Sequence, residues 1–258
     1  MLHDWQFRPG TLDRAIFNGV VALNEYQLPE QFSPADIVLD IGAHIGAFAY
    51  AALTRGCQHV YAVEPDPTNF ALATRHLQPF LSDKHVTLLH GAVWRSDPNN
   101  DELRFDGYHP FPQSFAGMTG ILNTGCGSVL WGVGEIVPKI AFDALLDQIT
   151  EQGAKRVRLL KLDCEGAEWP ILLTSQRLHL VEEICGEFHE LAGGQHEINE
   201  DRPYNQPLFQ DERFSRWTIE NLAAFLTEAG FAVNYRRHHR PNGAPEGLGL
   251  FFAKRSRA

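Results

Sequence analysis

The chain has 258 residues, 44% of them hydrophobic, and a formal net charge of −10. That length allows one large α/β domain or two small ones, and the negative charge disfavours a nucleic-acid binder, which depends on phosphate contacts. The first residues lack the basic and apolar regions of a secretory signal, and no apolar run is long enough to span a membrane. Four scattered cysteines without a Cys-x-x-Cys pair indicate reduced thiols. We therefore expect a cytoplasmic protein with no nucleic-acid or membrane partner.

Residues 1–35 are predicted to form an N-terminal helical segment, followed by a main domain over residues 36–258. Ile16, Val20 and Leu23 recur at helical spacing and predict a helix from Leu12 to Leu28. This helix would lead into the first strand and cap the site.

The main domain opens with two apolar runs joined by a glycine turn and a helical stretch. The first run ends in Asp40 and a turn built on Gly42 and Gly46, and the second run ends in Glu64. This order predicts a strand, a turn, a helix and a parallel strand. Such a turn lets the backbone approach a nucleoside, and an acid ending the second strand accepts both ribose hydroxyl protons. The unit therefore predicts a nucleoside cofactor site.

The spacing of the turn indicates which nucleoside it binds. A dinucleotide turn needs three glycines, whereas Gly42-Ala-His-Ile-Gly46 supplies only two. A carboxylate at Asp40 would repel a pyrophosphate but would suit the ammonium and sulfonium of S-adenosylmethionine. We expect S-adenosylmethionine as cofactor. A nicotinamide-dependent oxidoreductase and a non-catalytic S-adenosylmethionine-binding protein are the alternatives.

The remaining predicted elements alternate between helices and strands. In chain order they are a helix over Asn69 to Leu81, a strand over Val86–Val93, short strands Leu103–Asp106, Ser128–Trp131 and Val137–Ala141, a helix over Phe142–Ile149, a strand over Val157–Asp163, a helix over Ala167–Ser175, a strand over Val181–Phe188, a helix over Trp217–Ala229, and strands Phe231–Arg236 and Gly249–Ala253. This alternation implies an α/β fold with a mainly parallel, doubly wound sheet. In such sheets ligands bind at the carboxyl ends of the strands.

Two segments are predicted to cover the site. No Asp, Glu, Lys or Arg occurs between Asp106 and Glu135, while seven glycines and several aromatics do. This composition predicts a lid within an insertion at about 101–140, with a surface insertion without a role as the alternative. The long polar segment at about 190–216 is predicted to bind the acceptor.

A second motif, Leu160-Lys-Leu-Asp-Cys-Glu-Gly-Ala-Glu168, surrounds the end of the fourth core strand. We predict that Asp163, Glu187 and His189 form the catalytic group, because the fourth and fifth strands should end side by side. They could hold a divalent cation, or His189 could be a base oriented by Glu187. His189 could also simply pack against the loop. The metal-free version is slightly favoured, because no second carboxylate pair lies near Glu187 and His189 in the sequence.

These motifs resemble those of the FkbM family of S-adenosylmethionine-dependent methyltransferases over roughly residues 20–190. The resemblance implies a Rossmann-like class I methyltransferase fold with a mainly parallel seven-stranded sheet and helices on both faces. It also implies O-methylation of a hydroxyl on a sugar, polyketide or other small metabolite. His44 stands where the family usually has Asn, and Cys164 where it often has Val. The matching stretches are Asn24–Tyr26, Val38–Gly46, Val63–Asp66, Phe142–Leu146 and Leu160–Glu168.

The expected ligands are S-adenosylmethionine and a small-molecule acceptor with a hydroxyl. A divalent cation held by Asp163, Glu187 and His189, and a homo-oligomer, stay open. The predicted cofactor-binding residues are Tyr26, Asp40, Gly42, Ala43, His44, Gly46, Glu64, Pro65, Asp66, Gly91, Ala92 and Asp163.

Overall fold

The computed structural model describes residues 5–98, 100–107, 109–110, 121–130, 132–190, 217–239 and 242–256. The strands are β1 (Ile37–Ile41), β2 (His59–Glu64), β3 (Val86–His90), β4 (Ala92–Trp94), β5 (Arg104–Phe105), β6 (His109–Pro110), β7 (Leu122–Asn123), β8 (Glu135–Ile136), β9 (Lys139–Ala141), β10 (Val157–Leu162), β11 (Glu183–His189), β12 (Phe231–His239) and β13 (Pro245–Arg255). The α-helices are α1 (Asp13–Phe17), α2 (Ala47–Thr54), α3 (Pro67–His76), α4 (Gln78–Ser82), α5 (Phe142–Ile149), α6 (Glu168–Thr174) and α7 (Ile219–Glu228).

Seven of these strands form one sheet in the order β12-β13-β11-β10-β1-β2-β3. The strands from β11 to β3 pair in parallel, and β13 is antiparallel to both of its neighbours. The mainly parallel seven-stranded sheet predicted from the sequence is therefore confirmed. Its order places the carboxyl ends of β2, β1, β10 and β11 next to one another.

Helices cover both faces of the sheet, and alternation along β1 shows why. Ile37, Leu39 and Ile41 belong to one buried cluster, which also contains the apolar residues of α5, α6 and α7. Val38 belongs to the other cluster, which contains the apolar residues of α1 and α2. Because successive side chains of a strand point to opposite faces, a strand buried on both sides reads as a continuous apolar run. The predicted arrangement of helices on both faces is confirmed.

Four predicted elements differ from the observed ones. The strand predicted over residues 86–93 divides at Gly91 into β3 and β4, which belong to different sheets. The N-terminal helix ends with a π-helical turn over Asn18–Ala22, because Asn24 and Gln27 adopt positive φ angles of 51° and 54°. The helix predicted over residues 69–81 divides into α3 and α4 at Leu77. Ser128 makes an isolated bridge with Asp106 in place of the predicted strand.

The two predicted covering segments are only partly described. Residues 111–120 of the predicted lid and residues 191–216 of the predicted acceptor loop lie outside the described residues. Over the part of the chain that is described, none of the helices has the length and hydrophobicity needed to cross a membrane.

Candidate active site

A cavity of about 360 Å³ lies at the carboxyl edge of the sheet. The glycine turn after β1, the ends of β2 and β10, the N-terminal segment and the insertion all contribute to its lining. This is the edge at which a doubly wound sheet binds its ligands.

The turn after β1 packs directly against the end of β10. Gly42 has a φ of 79°, and a Cβ added there would lie 1.8 Å from the carbonyl oxygen of Asp163, so only glycine fits. The N–H groups of Gly42 and Ala43 both donate to the carbonyl of Val63 at 3.0 Å. The His44 N–H donates to a carboxylate oxygen of Glu64. Because these amides already have acceptors, the turn cannot wrap a pyrophosphate as a dinucleotide-binding turn does.

Glu64 lies at the end of β2 with its carboxylate held from both sides. Its Oε2 accepts the His44 N–H at 2.7 Å, and its Oε1 accepts the Asp66 N–H at 2.9 Å. Burial raises the pKa of Glu64 to about 7, although these two backbone N–H groups act in the opposite direction. A carboxylate oxygen can accept a second hydrogen bond, so Glu64 can still receive ligand hydroxyls from the cavity.

Asp66 begins α3 rather than facing the cavity. Its Oδ1 accepts the Asn69 N–H at 2.7 Å, which is an N-cap. Asn69 lines the cavity, and its side-chain amide lies 3.5 Å from Glu64 Oε1. Sequence reasoning missed Asn69, although its place just after the Glu-Pro-Asp motif was an available signal.

Asp40 is fully buried and is not among the described residues that line the cavity. Lys161 Nζ lies 3.3 Å from Asp40 Oδ1, and it also donates to the carbonyl of Gly42 at 2.5 Å. Burial lowers the pKa of Lys161, but Asp40 and Asp163 outweigh it and raise that pKa. The protein itself therefore supplies the cation beside Asp40, namely Lys161. This corrects the expectation that Asp40 faces the ammonium and sulfonium of the cofactor. A lone lysine within the apolar run of β10 was the signal for this pair.

A buried network fastens the N-terminal segment and the insertion over the glycine turn. Asp13 is fully buried, and its carboxylate accepts Arg8 Nε at 2.8 Å and the Thr124 hydroxyl at 2.7 Å. Burial opposes ionisation, but the bonds from Arg8 and Thr124 lower the pKa of Asp13 to about 2. Thr124 Oγ1 also lies 2.8 Å from His44 Nε2. We call Arg8, Asp13, Thr124 and His44 the clasp.

The clasp defines the state of the His44 ring. Since the Thr124 hydroxyl donates to Asp13, its 2.8 Å contact with His44 favours a proton on Nε2, whereas Arg8 Nη2, 3.4 Å from the same nitrogen, could donate to it only in the other tautomer. Burial lowers the pKa of His44 to about 4, which keeps the ring neutral. No local pattern in the sequence connects Asp13 with Thr124.

The predicted catalytic group lies where β10 and β11 end. β10 and β11 are parallel neighbours, as expected, with Leu162 paired to Gly186. Asp163, Glu187 and His189 each offer a ligand atom, and these atoms lie within 4.8 Å of one another. The Tyr26 hydroxyl donates to Asp163 Oδ2 at 2.9 Å. The structure thus brings the three predicted residues together.

His189 lies between carboxylates rather than on the cavity lining. Its Nδ1 is 3.2 Å from Glu168 Oε1, and its Nε2 is 3.3 Å from Glu165 Oε2. Burial lowers the pKa of His189, but Glu165 and Glu168 outweigh it and raise that pKa well above its usual value. A ring that holds its proton this tightly is a poor free base near neutral pH. Glu165, which belongs to the motif over residues 160–168, also lines the cavity, and the sequence did not predict a role for it.

Most of the predicted site residues border the cavity. Of the predicted residues, Asp40, Gly46, Asp66 and His189 are not part of the described lining. Those that line the cavity are Tyr26, Gly42, Ala43, His44, Glu64, Pro65, Gly91, Ala92, Asp163 and Glu187.

The sequence profile of the FkbM methyltransferase domain matches residues 40–233, which include both strand-end motifs. The chain belongs to the FkbM methyltransferase family. It is 26% identical over 184 residues to the 31-O-demethyl-FK506 methyltransferase FkbM of Streptomyces tacrolimicus, covering 65% of this chain and 71% of that protein. This FkbM-family chain is a methyltransferase, and its family implies S-adenosylmethionine as the methyl donor.

Two solved structures show more distant likeness. The methyltransferase FkbM of Methylobacillus flagellatus KT matches with a TM-score of 0.48 and 15% identity, and the match covers 91% of this chain and 47% of that one. This chain thus spans about half the length of that protein. The precorrin-6y C5,15-methyltransferase of Geobacter metallireducens GS-15 matches with a TM-score of 0.44 and 12% identity, covering 98% and 95% of the two chains.

Proposed function

We propose that this protein transfers the methyl group of S-adenosylmethionine to a hydroxyl of a small molecule. The proposal rests on one cavity that is lined by carboxylates from both sides of β1. Glu64 ends β2 on one side, and Asp163 and Glu187 belong to the ends of β10 and β11 on the other. The relative from Streptomyces tacrolimicus is named for methylation at an oxygen of demethyl-FK506, which favours an oxygen acceptor.

In this proposal Glu64 accepts the two ribose hydroxyls and fixes the cofactor by its nucleoside. A pyrophosphate needs backbone N–H groups that are free to donate to it. In this turn the N–H groups already donate to acceptors within the protein, which disfavours a nicotinamide dinucleotide. The acidic group around Asp163 disfavours a protein that only binds the cofactor, because cofactor binding alone does not require these carboxylates.

The reaction is an in-line displacement at the sulfonium methyl. An oxygen lone pair forms the new carbon–oxygen bond, the carbon–sulfur bond breaks, and its electrons stay on sulfur to give S-adenosylhomocysteine. Positioning supplies much of the rate, because the sulfonium already activates the methyl group. The hydroxyl proton passes to a carboxylate of the acidic group, whose members on the cavity lining are Asp163, Glu165 and Glu187. Glu187 suits this role, because burial and the neighbouring Asp163 raise its pKa.

The test uses methyl-labelled S-adenosylmethionine and a panel of hydroxylated sugars and polyketides, each with a matched amine analogue. We expect label on hydroxyl compounds, and a loss of rate of about 100-fold or more in Glu187→Gln. The matched control is Glu183→Gln, on the same strand, where the carboxylate pairs with Arg158 and Lys254 outside the cavity. Label on the amines alone would refute the choice of a hydroxyl acceptor.

A further inference from the structure

We propose that Asn69 determines, together with Glu64, how the cofactor ribose is bound, because its side-chain amide donates to the oxygen of a ribose hydroxyl. This role rests on the proposed function, which supplies S-adenosylmethionine as the ligand. A hydroxyl that donates to Glu64 keeps lone pairs on its oxygen, and these can accept a bond from a neighbouring donor. Asn69 lines the same cavity as Glu64, and its amide nitrogen lies 3.5 Å from Glu64 Oε1.

The partners of the Asn69 amide fix its direction. Arg8 Nη2, which can only donate, lies 2.8 Å from Asn69 Oδ1. The carbonyl of Thr124, which can only accept, lies 3.0 Å from Asn69 Nδ2. Both contacts require the same orientation, with Oδ1 toward Arg8 and Nδ2 toward Thr124. The nitrogen beside Glu64 is therefore a hydrogen-bond donor.

The backbone of Asn69 is fixed as firmly as its side chain. Its N–H donates to Asp66 Oδ1 at 2.7 Å, in the first turn of α3, and the residue is only 3% exposed. A donor that is held by the protein in this way loses little freedom when a ligand binds, so more of the bond energy appears as affinity.

One proton of this buried amide has a poor acceptor within the described part of the protein. The amide nitrogen carries two protons, and the Thr124 carbonyl is a good acceptor for the first. The other bond of Nδ2 reaches Glu64 Oε1 at 3.5 Å, the far limit of a hydrogen bond, and that oxygen already accepts the Asp66 N–H at 2.9 Å. A buried donor with so weak an acceptor costs free energy. A ribose oxygen held against Glu64 would be a better acceptor for it.

Calorimetric titration at pH 8 with S-adenosylhomocysteine and with its 2′-deoxy and 3′-deoxy analogues tests this role. We expect the wild type to bind at least one analogue about 100-fold more weakly than S-adenosylhomocysteine, because bonds to Glu64 and to Asn69 are both lost. In Asn69→Leu, which lacks the donor at a similar volume, that ratio should fall to about tenfold. The matched control is Thr74→Val, at an exposed position of α3, where the hydroxyl donates to the Phe70 carbonyl of the same helix. Its ratios should equal those of the wild type.

Circular dichroism first establishes that each variant is folded, and Asn69→Ala is the second variant, since it removes the amide without adding a methyl group beside Arg8. A purely structural Asn69 would lower the affinity for all three ligands by one factor and leave their ratios unchanged. Ratios equal to those of the wild type in the folded Asn69 variants therefore overturn this role, while the proposed function stands. A folded wild type that does not bind S-adenosylhomocysteine overturns the proposed function and this role together.

Discussion

Glu64 and the acidic residues around His189 belong to the same cavity, but the protein holds them in different ways. Each oxygen of Glu64 already accepts a backbone N–H, and the clasp fixes His44, which supplies one of them. Around His189, three carboxylates, those of Glu165, Glu168 and Glu187, lie within 3.9 Å of one imidazole. Fixed backbone donors therefore preorganise Glu64, which we propose binds the cofactor, whereas the carboxylates around His189 crowd negative charge into one place.

Replacing Glu64 should have the largest effect on cofactor binding. Glu64→Ala should weaken S-adenosylhomocysteine binding by about 100-fold, because a charged acceptor of two hydroxyl bonds is lost. Glu64→Gln keeps one acceptor oxygen, so we expect about a tenfold loss. Calorimetric titration measures both. An unchanged affinity in Glu64→Ala would mean that Glu64 does not touch the ribose.

The raised pKa of Glu64 should make cofactor binding depend on pH. Burial raises the pKa of Glu64 to about 7, so the carboxyl is protonated below that pH and loses acceptor capacity. S-adenosylhomocysteine affinity should therefore be up to about tenfold lower at pH 6 than at pH 8, and level above pH 8. The control is Glu64→Gln, which cannot titrate and should bind equally at both values. A wild-type affinity that rises as the pH falls would contradict the assignment.

Substitutions in the clasp should show whether the residues that hold His44 in place also affect cofactor binding. Asp13→Ala removes the acceptor of both Arg8 and Thr124, and we expect the free energy of unfolding to fall by about 3 kcal/mol. S-adenosylhomocysteine affinity should fall about fivefold, because Asp13 no longer holds Thr124 in place beside His44. Thr124→Val, which removes only the hydroxyl, should cost about 1 kcal/mol. Denaturant unfolding and calorimetry measure these effects, and an Asp13→Ala protein of wild-type stability and affinity would show that the clasp fixes nothing.

The smallest expected effect concerns the insertion. We predict that the segment from Gly107 to Gly134 is protected from limited proteolysis when S-adenosylhomocysteine is bound. Thr124 lies in this segment and joins it to Asp13 and His44 beside the cavity. Equal cleavage with and without the ligand would count against a lid.

The sheet and the strand-end acids could be predicted because each rests on a local pattern. The apolar runs ending in Asp40, Glu64 and Asp163 fix the strands, and parallel pairing brings their ends together. The lone lysine of β10 indicated a buried ion pair, but its partner Asp40 could not be identified from the sequence, because the pairing depends on the direction of a lysine side chain inside a buried strand. The clasp could not be predicted either, since Asp13 and Thr124 meet through contacts between segments that have no common pattern.

Calorimetric titration of the wild-type protein with S-adenosylhomocysteine and, separately, with NAD⁺ tests the cofactor assignment most directly. The occupied amides of the glycine turn and the position of Glu64 predict binding of one S-adenosylhomocysteine per chain and no binding of NAD⁺. Binding of NAD⁺ without binding of S-adenosylhomocysteine would contradict the assignment.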